Sequence, residues 1–334
     1  MIRRETARAR GGREDEGDEA VCDISDDYGV GSRPFGGWTR HDTRPRDKAH
    51  GLSMGSPRCD NARMSSPAIS PSPPLRLLAI ETSTDRMSVA VGDGSPGGLS
   101  LSYSGPGAAQ SSANLLPTVG QLLGEAGWSL AELAAVVFAR GPGSFTGLRT
   151  ACAVTQGLAY GAQAQGVEGG LPVLPVDTLL ALAEEARWLS EQAGGAVPEV
   201  IVAMLDARMG EVYVAVYAVR HQRVVSEPLQ APRLCAPAEL AAFLQPIPGA
   251  SEPAVLLAGN VFDTYGDALM GLPGQRQAAW PTATALLRLA PALLREGLAV
   301  AAHEAMPLYV RDKVAQTTDE RERLRLAQTA SAAG

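Results

Sequence analysis

Residues 75–94 read LRLLAIETSTDRMSVAVGDG, and their pattern sets the architecture of the chain that follows. The apolar run LLAI leads into a polar turn, Glu81-Thr82-Ser83-Thr84, and the chain returns as the alternating run MSVAV. This arrangement predicts two antiparallel strands joined by a tight turn. The pattern returns at residues 199–219, EVIVAMLDARMGEVYVAVYAV, with Asp206-Ala207-Arg208 at the turn. The sequence therefore contains an internal repeat.

Each hairpin is followed by segments that alternate between helix-like and strand-like patterns. Apolar residues at helical spacing predict helices over residues 112–126, 147–160, 177–192, 237–244, 261–270 and 282–296. Short apolar runs predict further strands over residues 99–103, 134–139, 171–176 and 254–259. Two halves that each begin with a hairpin and continue in this way predict two related α/β domains.

The first 74 residues differ in composition from the rest of the chain. They hold twelve basic and twelve acidic residues, many Gly, Pro and Ser, and only very short apolar runs. Such a segment cannot bury enough apolar surface to offset its ordering entropy. We expect residues 1–74 to be disordered, or to be an extension added by an assigned start upstream of Met54 or Met64. Arg3-Arg4 suggests an export signal, but no apolar region follows it.

The net charge and the spacing of the cysteines argue against several classes of function. The whole net charge of −7 falls on residues 75–334, which disfavours strong direct binding of nucleic acid but leaves a local basic patch open. The four cysteines, at positions 22, 59, 152 and 235, form no CxxC pair, which argues against a disulfide framework or a zinc site. No apolar stretch approaches the roughly 20 residues that span a bilayer. We therefore expect a soluble, cytoplasmic protein without membrane contact.

Residues 140–150, RGPGSFTGLRT, form a glycine-rich loop between a predicted strand and a helix rich in small residues. A helix N-terminus after glycines offers backbone N–H groups to a phosphate. A Walker A loop also needs Gly-Lys-Ser/Thr, whereas this chain has Gly147-Leu148-Arg149. The favoured interpretation is a turn with glycines in unusual dihedral angles and with Ser144 or Thr146 capping the helix.

Together these motifs resemble the TsaB family. The matching segments are AIETSTDRMSVAV, NLLPTVGQLL, ARGPGSFTGLRTACAVTQGLAYG, VDTLLALA, LDARMGEVYVAVY and PLYVRD. The resemblance implies an α/β fold with two duplicated ribonuclease-H-like domains of the actin-like, sugar-kinase and Hsp70 ATPase superfamily. These domains would cover residues 75–176 and 177–313, followed by a charged tail at 314–334.

The resemblance also implies a function. TsaB proteins are partner subunits that activate and stabilise TsaD, which transfers threonylcarbamoyl to adenosine 37 of tRNAs reading codons that start with A; the ATPase TsaE joins them. We expect a non-catalytic scaffold that binds TsaD, meets TsaE and tRNA within the complex, and forms a homodimer without its partner. The chain would need no cofactor, and ATP would act at the level of the complex. The alternative is an ATP-binding or ATP-hydrolysing kinase-like enzyme of the same superfamily.

In that superfamily both hairpin turns face a nucleotide between the domains. The positions implied here are Glu81, Thr82, Ser83, Thr84, Asp206 and Arg208. Glu81 would hold a metal-bound water, and Thr82 and Ser83 would donate hydrogen bonds to phosphate oxygens. The competing interpretation, slightly favoured because no lysine lies near the turn, is that these hydroxyl groups satisfy backbone groups of the turn itself.

The resemblance places the TsaD-binding surface on the helices at residues 112–126 and 147–162. The candidate contacts are Leu116, Val119, Leu123, Phe145, Leu148, Ala151, Val154, Gly157 and Leu158. Small residues in the second helix allow another helix to approach closely. For Phe145 and Leu148 the protein core remains an open alternative to the interface.

Metal and nucleophile chemistry find little support in the sequence. The histidines, at positions 41, 50, 221 and 303, show no HxxxH or HExxH spacing, so no metal site is expected. Cys152 and Cys235 lie in apolar settings typical of inert buried thiols. No nucleophile elbow is present, so peptidase activity is not expected.

Overall fold

The computed structural model describes residues 2–4, 75–95, 98–107, 110–245 and 254–311, the first three by their backbone alone. Residues 75–311 belong to one compact unit. The predicted tail at 314–334 and, apart from residues 2–4, the predicted extension at 1–74 lie outside the described residues. Ile2–Arg4 forms a short strand, β1, which the composition of the extension did not predict.

The first sheet is built around the hairpin at residues 75–94. Its further strands are β2 (Leu77–Glu81), β3 (Arg86–Gly92), β4 (Ser100–Pro106), β5 (Ala135–Gly141) and β6 (Val173–Asp177), in the order β1-β4-β3-β2-β5-β6. Antiparallel pairing sets Ile80 of β2 opposite Val89 of β3, and β5 runs parallel to β2. The predicted hairpin is confirmed. β2 is buried along its whole length because helices cover both faces of the sheet, which explains its continuous apolar run.

The second sheet repeats this arrangement. Its strands are β7 (Val200–Asp206), β8 (Val212–Arg220), β9 (Arg223–Val224), β10 (Gln230–Cys235), β11 (Val255–Gly259) and β12 (Gln275–Ala278). The order is β10-β8-β7-β11-β12, with β9 paired to β8. β7 and β8 are antiparallel, and β11 is parallel to β7. Apart from β1 and β9, the two sheets share one strand order and the same strand directions, so the sequence repeat has a structural counterpart.

Helices form three layers around the two sheets. Those of the described residues are α1 (Ser111–Ala126), α2 (Phe145–Gly161), α3 (Thr178–Gln192), α4 (Leu240–Leu244), α5 (Phe262–Leu269) and α6 (Ala283–Arg295). α1 and α2 cover the outer face of the first sheet, and α4 and α5 cover that of the second. α3 and α6 lie between the sheets, in a core with side chains from both. No helix in this part of the chain is long and apolar enough to cross a membrane.

α6 follows the second sheet in sequence but packs against the first. Leu286 of α6 joins a core cluster that includes Leu77 of β2. At its start, Thr282 caps the helix by accepting a hydrogen bond from the backbone N of Ala285, and the backbone N of Ala283 donates to Ser88 Oγ at 3.0 Å. The two predicted domains therefore share a core, and the boundary between them at residue 177 stays a prediction.

A buried ionic cluster joins α3 to α6. Arg288 of α6 contacts Glu184 at 2.9 Å and Glu185 at 2.5 Å, and Arg187 contacts Glu184 at 2.8 Å. The hydrogen bonds that Arg187 donates to Glu184 hold the pKa of Arg187 above its ordinary value. The Glu184 side chain is only 6% exposed, and these two guanidinium groups are the partners that compensate its burial.

Candidate functional site

The first hairpin turn, at the end of β2, is built on a buried carboxyl group. Glu81 is 1% exposed, and the backbone N and Oγ of Ser83 both donate to its Oε1 at 2.5 Å. Its Oε2 has no hydrogen-bond partner in the described residues. Burial raises the pKa of Glu81 from 4.5 to about 7, although the two hydrogen bonds from Ser83 lower it. The side chains of Glu81 and Ser83 thus bond to each other within the turn.

The glycine-rich loop packs directly on that turn. The backbone N of Ser144 donates to Ser83 O at 2.6 Å, and Thr82 Oγ1 donates to Gly147 O at 2.7 Å. A Cβ at Gly147 would lie 1.8 Å from Thr82 O, and one at Gly143 would lie 2.5 Å from Ser83 O. Both positions need glycine because one backbone approaches another here. The predicted cap is confirmed, since Ser144 Oγ accepts a hydrogen bond from Gly147 N.

The second hairpin turn holds Asp206 from several sides. Tyr265 OH and the backbone N of Arg208 each donate to Asp206 Oδ1 at 2.8 Å. The backbone N of Asp206 donates to Asn260 Oδ1 at 2.9 Å. Burial, helped by the hydrogen bond to Asp206, raises the pKa of Tyr265 to about 12, so its hydroxyl stays a donor at neutral pH. The Arg208 side chain is 76% exposed and lies 3.5 Å from Asp206.

Both turns line one cleft with a volume of about 180 Å³. Of the six predicted turn residues, four line this cleft: Ser83, Thr84, Asp206 and Arg208. Glu81 and Thr82 are buried behind it. Pockets for small ligands commonly measure about 300–1,000 Å³, so this cleft is smaller than a typical nucleotide site. Both lysines of the sequence, at positions 48 and 313, lie outside the described residues.

The histidines and cysteines of the described residues lie apart from this cleft. Among the described residues, no group of three or more His, Cys, Asp or Glu side chains lies close enough together to hold a metal ion. His221 lies at the tip between β8 and β9, and His303 lies in a short 3₁₀ helix at 302–304. Burial raises the pKa of the thiols of Cys152 and Cys235, which keeps them protonated and unreactive.

A second candidate site is the outward surface of α1 and α2. We call it the helix face and define it by its exposed small and apolar residues, which lie among exposed polar side chains of α1 such as Gln121 and Glu125: Ala113, Leu116, Gly120, Gly124, Ala153, Gly157, Tyr160 and Gly161. A Cβ placed on any of its four glycines would meet no atom within 4 Å. Leu116 is 52% exposed and Tyr160 is 46% exposed. The helix face is therefore a surface of small and apolar residues open to close approach.

The nine predicted interface residues divide between this surface and the core. Leu116 and Gly157 are exposed, and Phe145, Val154 and Leu158 are partly exposed. The other four are buried, which corrects the prediction of Val119, Leu123 and Ala151 as surface contacts and favours the core alternative for Leu148. Apolar residues at helical spacing mark the side of a helix that faces the core. These four side chains are buried on the core side of α1 and α2.

Phe145 is partly exposed, and its ring contacts the side chains of Tyr309 and Arg149. Its ring lies 5.1 Å from the Tyr309 ring, and the Arg149 guanidinium lies 3.6 Å above its centroid. Tyr309 belongs to the segment at 305–311, which crosses the start of α2. There the backbone N of Leu308 donates to Arg140 O at 2.7 Å.

Known proteins match most of residues 75–311. A family model described as TsaD, tRNA N6-adenosine threonylcarbamoyltransferase, matches residues 106–318. The tRNA threonylcarbamoyladenosine biosynthesis protein TsaB of Escherichia coli (strain K12) is 31% identical over 246 residues, which cover 72% of this chain and 96% of that protein. The chain belongs to the TsaB family. TsaB of Haemophilus influenzae is 37% identical over 146 residues, 42% of this chain and 52% of that protein.

A solved structure supports the same assignment. YeaZ from Pseudomonas aeruginosa is 33% identical, with a TM-score of 0.59, and the match covers 70% of this chain and 99% of that one. The TsaB family thus provides both the sequence relatives and a structural relative of almost full length. The two-sheet α/β architecture agrees with this family.

Sequence reasoning missed several contacts of this TsaB-family chain. Asn260 follows β11 and Tyr265 lies on α5, and both hold Asp206. Arg311 donates to Ala207 O at 3.0 Å and contacts Glu211 at 2.6 Å. A polar residue after a buried parallel strand was the available signal for Asn260. The partners of Arg311 lie about a hundred residues earlier, so no local pattern could reveal them.

Proposed function

We propose that this chain is a non-catalytic partner subunit in the synthesis of threonylcarbamoyladenosine in tRNA, and that it docks on TsaD through the helix face. The assignment to this process is supported by relatives that are named tRNA threonylcarbamoyladenosine biosynthesis protein TsaB. The observation that carries the docking proposal is the open space beyond all four glycines of the helix face. Helices with small residues at their contacts approach to about 8–10 Å, which this surface allows.

The properties of the cleft favour a role in which the partner, and not this chain, carries out catalysis. Its volume of about 180 Å³ is small, and Glu81 is enclosed behind it. Asp206 is already engaged by Tyr265 and Arg208, so it is poorly placed to act as a free base. The ATP-hydrolysing alternative is therefore not favoured. Phosphate release by the purified chain, abolished by Asp206→Ala, would be the result that revives it.

The remaining features of the proposal concern fold and assembly. The shared strand order of the two sheets supports two duplicated ribonuclease-H-like domains of the actin-like, sugar-kinase and Hsp70 ATPase superfamily. This chain would need no cofactor of its own, while ATP would enter through TsaE and tRNA would bind the assembled complex. The same helix face would support a homodimer when TsaD is absent. The complex would act in the cytoplasm.

The docking proposal is tested by blocking the helix face with one bulky side chain. Gly157→Trp adds an indole where a partner helix would lie, at an exposed position where an added Cβ meets no atom within 4 Å. We expect the affinity for TsaD of the same organism to fall at least about a hundredfold, since the helices can no longer reach contact distance. Co-purification and threonylcarbamoyl transfer to tRNA, with and without each variant, measure both consequences.

The matched control is Gly266→Trp on α5. That glycine is also helical and also has open space beyond its Cα, but it lies on the other half of the molecule. It should bind TsaD and support transfer as the unmodified chain does. Retention of binding by Gly157→Trp would exclude the helix face as the docking surface.

A further inference from the structure

On the α2 side, the helix face ends at a single charged residue. The sequence of α2, FTGLRTACAVTQGLAYG, contains Arg149 as its only ionisable side chain apart from Cys152 and Tyr160. Residues four apart share one side of a helix, so Phe145, Arg149, Ala153 and Gly157 form one row. Arg149, Ala153 and Gly157 are exposed. A cation therefore lies at the N-terminal end of the proposed docking surface.

The Arg149 side chain is held in place before any partner binds. Its guanidinium lies 3.6 Å above the Phe145 ring centroid, and its Nε donates to Tyr309 OH at 3.1 Å. Tyr309 itself is 44% exposed, so the cluster forms part of the surface. Ordering a long side chain costs entropy on binding, and here that entropy is already lost in the free protein.

Arg149 also lacks an acidic partner. None of the ion pairs among the described residues includes it. Arg140 and Arg311, which lie in the loop and the segment beside the start of α2, are each paired, with Asp177 at 2.5 Å and Glu211 at 2.6 Å. Arg149 is thus a fixed cation whose remaining N–H groups are available to a ligand.

We propose that Arg149 is the charged anchor of the helix face and receives a carboxylate of TsaD when the subunits dock. This inference rests on the proposed function. The planar guanidinium matches a carboxylate through two parallel hydrogen bonds, and the pair strengthens when docking removes water. Arginine is also prominent among the residues that dominate interface energies.

A phosphate group of tRNA is the other anion with suitable geometry, and the charge distribution disfavours it. Binding to a phosphate backbone uses several cations, whereas Arg149 is the only Lys or Arg in α1 and α2. The chain as a whole carries a net charge of −7, which repels a polyanion. Because Arg149 lies at the end of the helix face, a carboxylate of the protein that docks there is the favoured ligand.

The test compares Arg149→Met with Arg233→Met. Arg233 is a matched control because it is also exposed, lies 4.7 Å over the Phe243 ring, and takes part in no ion pair of the described residues. The Kd of the full chain for TsaD is measured by calorimetry at low and high salt. We expect Arg149→Met to raise the Kd about tenfold at low salt and to weaken its salt dependence. Arg233→Met should stay within about twofold of the unmodified chain.

Two further variants separate the charge from its positioning. Arg149→Lys keeps the charge but not the planar fork, so salt dependence should persist while the Kd rises. Tyr309→Phe removes the acceptor for Arg149 Nε but keeps the ring, and should raise the Kd by a few fold with salt dependence retained. Thermal unfolding of each variant checks that the chain remains folded.

The outcomes are distinguishable. If the unmodified chain does not bind TsaD, the proposed function fails. If it binds, and Arg149→Met matches Arg233→Met in Kd and salt dependence, the anchor alone is overturned. A loss of tRNA affinity by the assembled complex, with the Kd for TsaD unchanged, would overturn the carboxylate in favour of a phosphate.

Discussion

Glu81 makes the first hairpin turn sensitive to pH. Its pKa in the folded protein is about 7, compared with an ordinary value of 4.5. Between these pH values the folded protein keeps a proton that the unfolded chain has released. The contribution of this group to stability is therefore complete below pH 4.5, declines as the pH rises, and is lost above about pH 7. The whole change corresponds to about 3 kcal/mol.

We expect Glu81→Gln to remove this dependence. The amide keeps an oxygen that can accept the hydrogen bonds of Ser83, but it does not titrate. The free energy of unfolding of the variant, relative to the unmodified chain, should therefore rise by about 3 kcal/mol from about pH 4.5 to about pH 8. Urea unfolding at several pH values measures it, and all other titrating groups cancel in the difference. A difference that stays constant with pH would mean that the folded carboxyl group titrates normally.

Gly147 is the position in the glycine-rich loop where an added side chain would make the closest contact. A Cβ there would lie 1.8 Å from Thr82 O, which is a backbone atom that cannot rotate away. We expect Gly147→Ala to lower the free energy of unfolding by about 3 kcal/mol or more. Gly157→Ala, in the same helix with open space beyond its Cα, should instead be neutral or stabilising by up to about 1 kcal/mol. Chemical denaturation of the pair decides the matter, because equal stabilities would contradict the close contact.

Local patterns predicted the elements that are buried on at least one regular face. Both hairpins, α1, α2, α3 and β11 follow the apolar periodicity closely. β10 and β12 were missed because edge strands have a weak pattern: β12 reads QRQA, and none of its residues is buried. An apolar face also does not reveal what will cover it. The packing of α6 on the first sheet is for this reason invisible in the sequence.

The two sides of α1 and α2 explain which of the predicted interface residues are exposed and which are buried. Their apolar positions, such as Val119 and Leu123, face the first sheet and are buried. Their small residues, such as Gly120 and Gly157, face outward. Periodicity detects the first set more readily because burial requires large apolar groups. For a helix that also binds a partner, the small residues opposite the core side are the better guide to the interface.

The two central helices, α3 and α6, each pack mainly against the sheet of the other half of the sequence. α3 follows the first sheet in sequence but packs on β7 of the second, and α6 does the reverse by packing on β2 and β3. Arg288 links the two helices through Glu184 and Glu185. Because α3 and α6 share one core with both sheets, opening this layer on one sheet would also expose the core of the other. The two halves should therefore unfold in one cooperative transition.

Arg288→Met tests this coupling. It leaves the buried carboxylates of Glu184 and Glu185 with one cation fewer, and we expect the free energy of unfolding to fall by about 3 kcal/mol. Hydrogen exchange should accelerate by the same factor in the slowest amides of β2 and β7, because both sheets rest on the same layer. Arg295→Met, on the same helix but exposed and without an ion pair in the described residues, is the control and should change neither. Acceleration confined to one sheet would mean that the halves open independently and that the shared layer does not couple them.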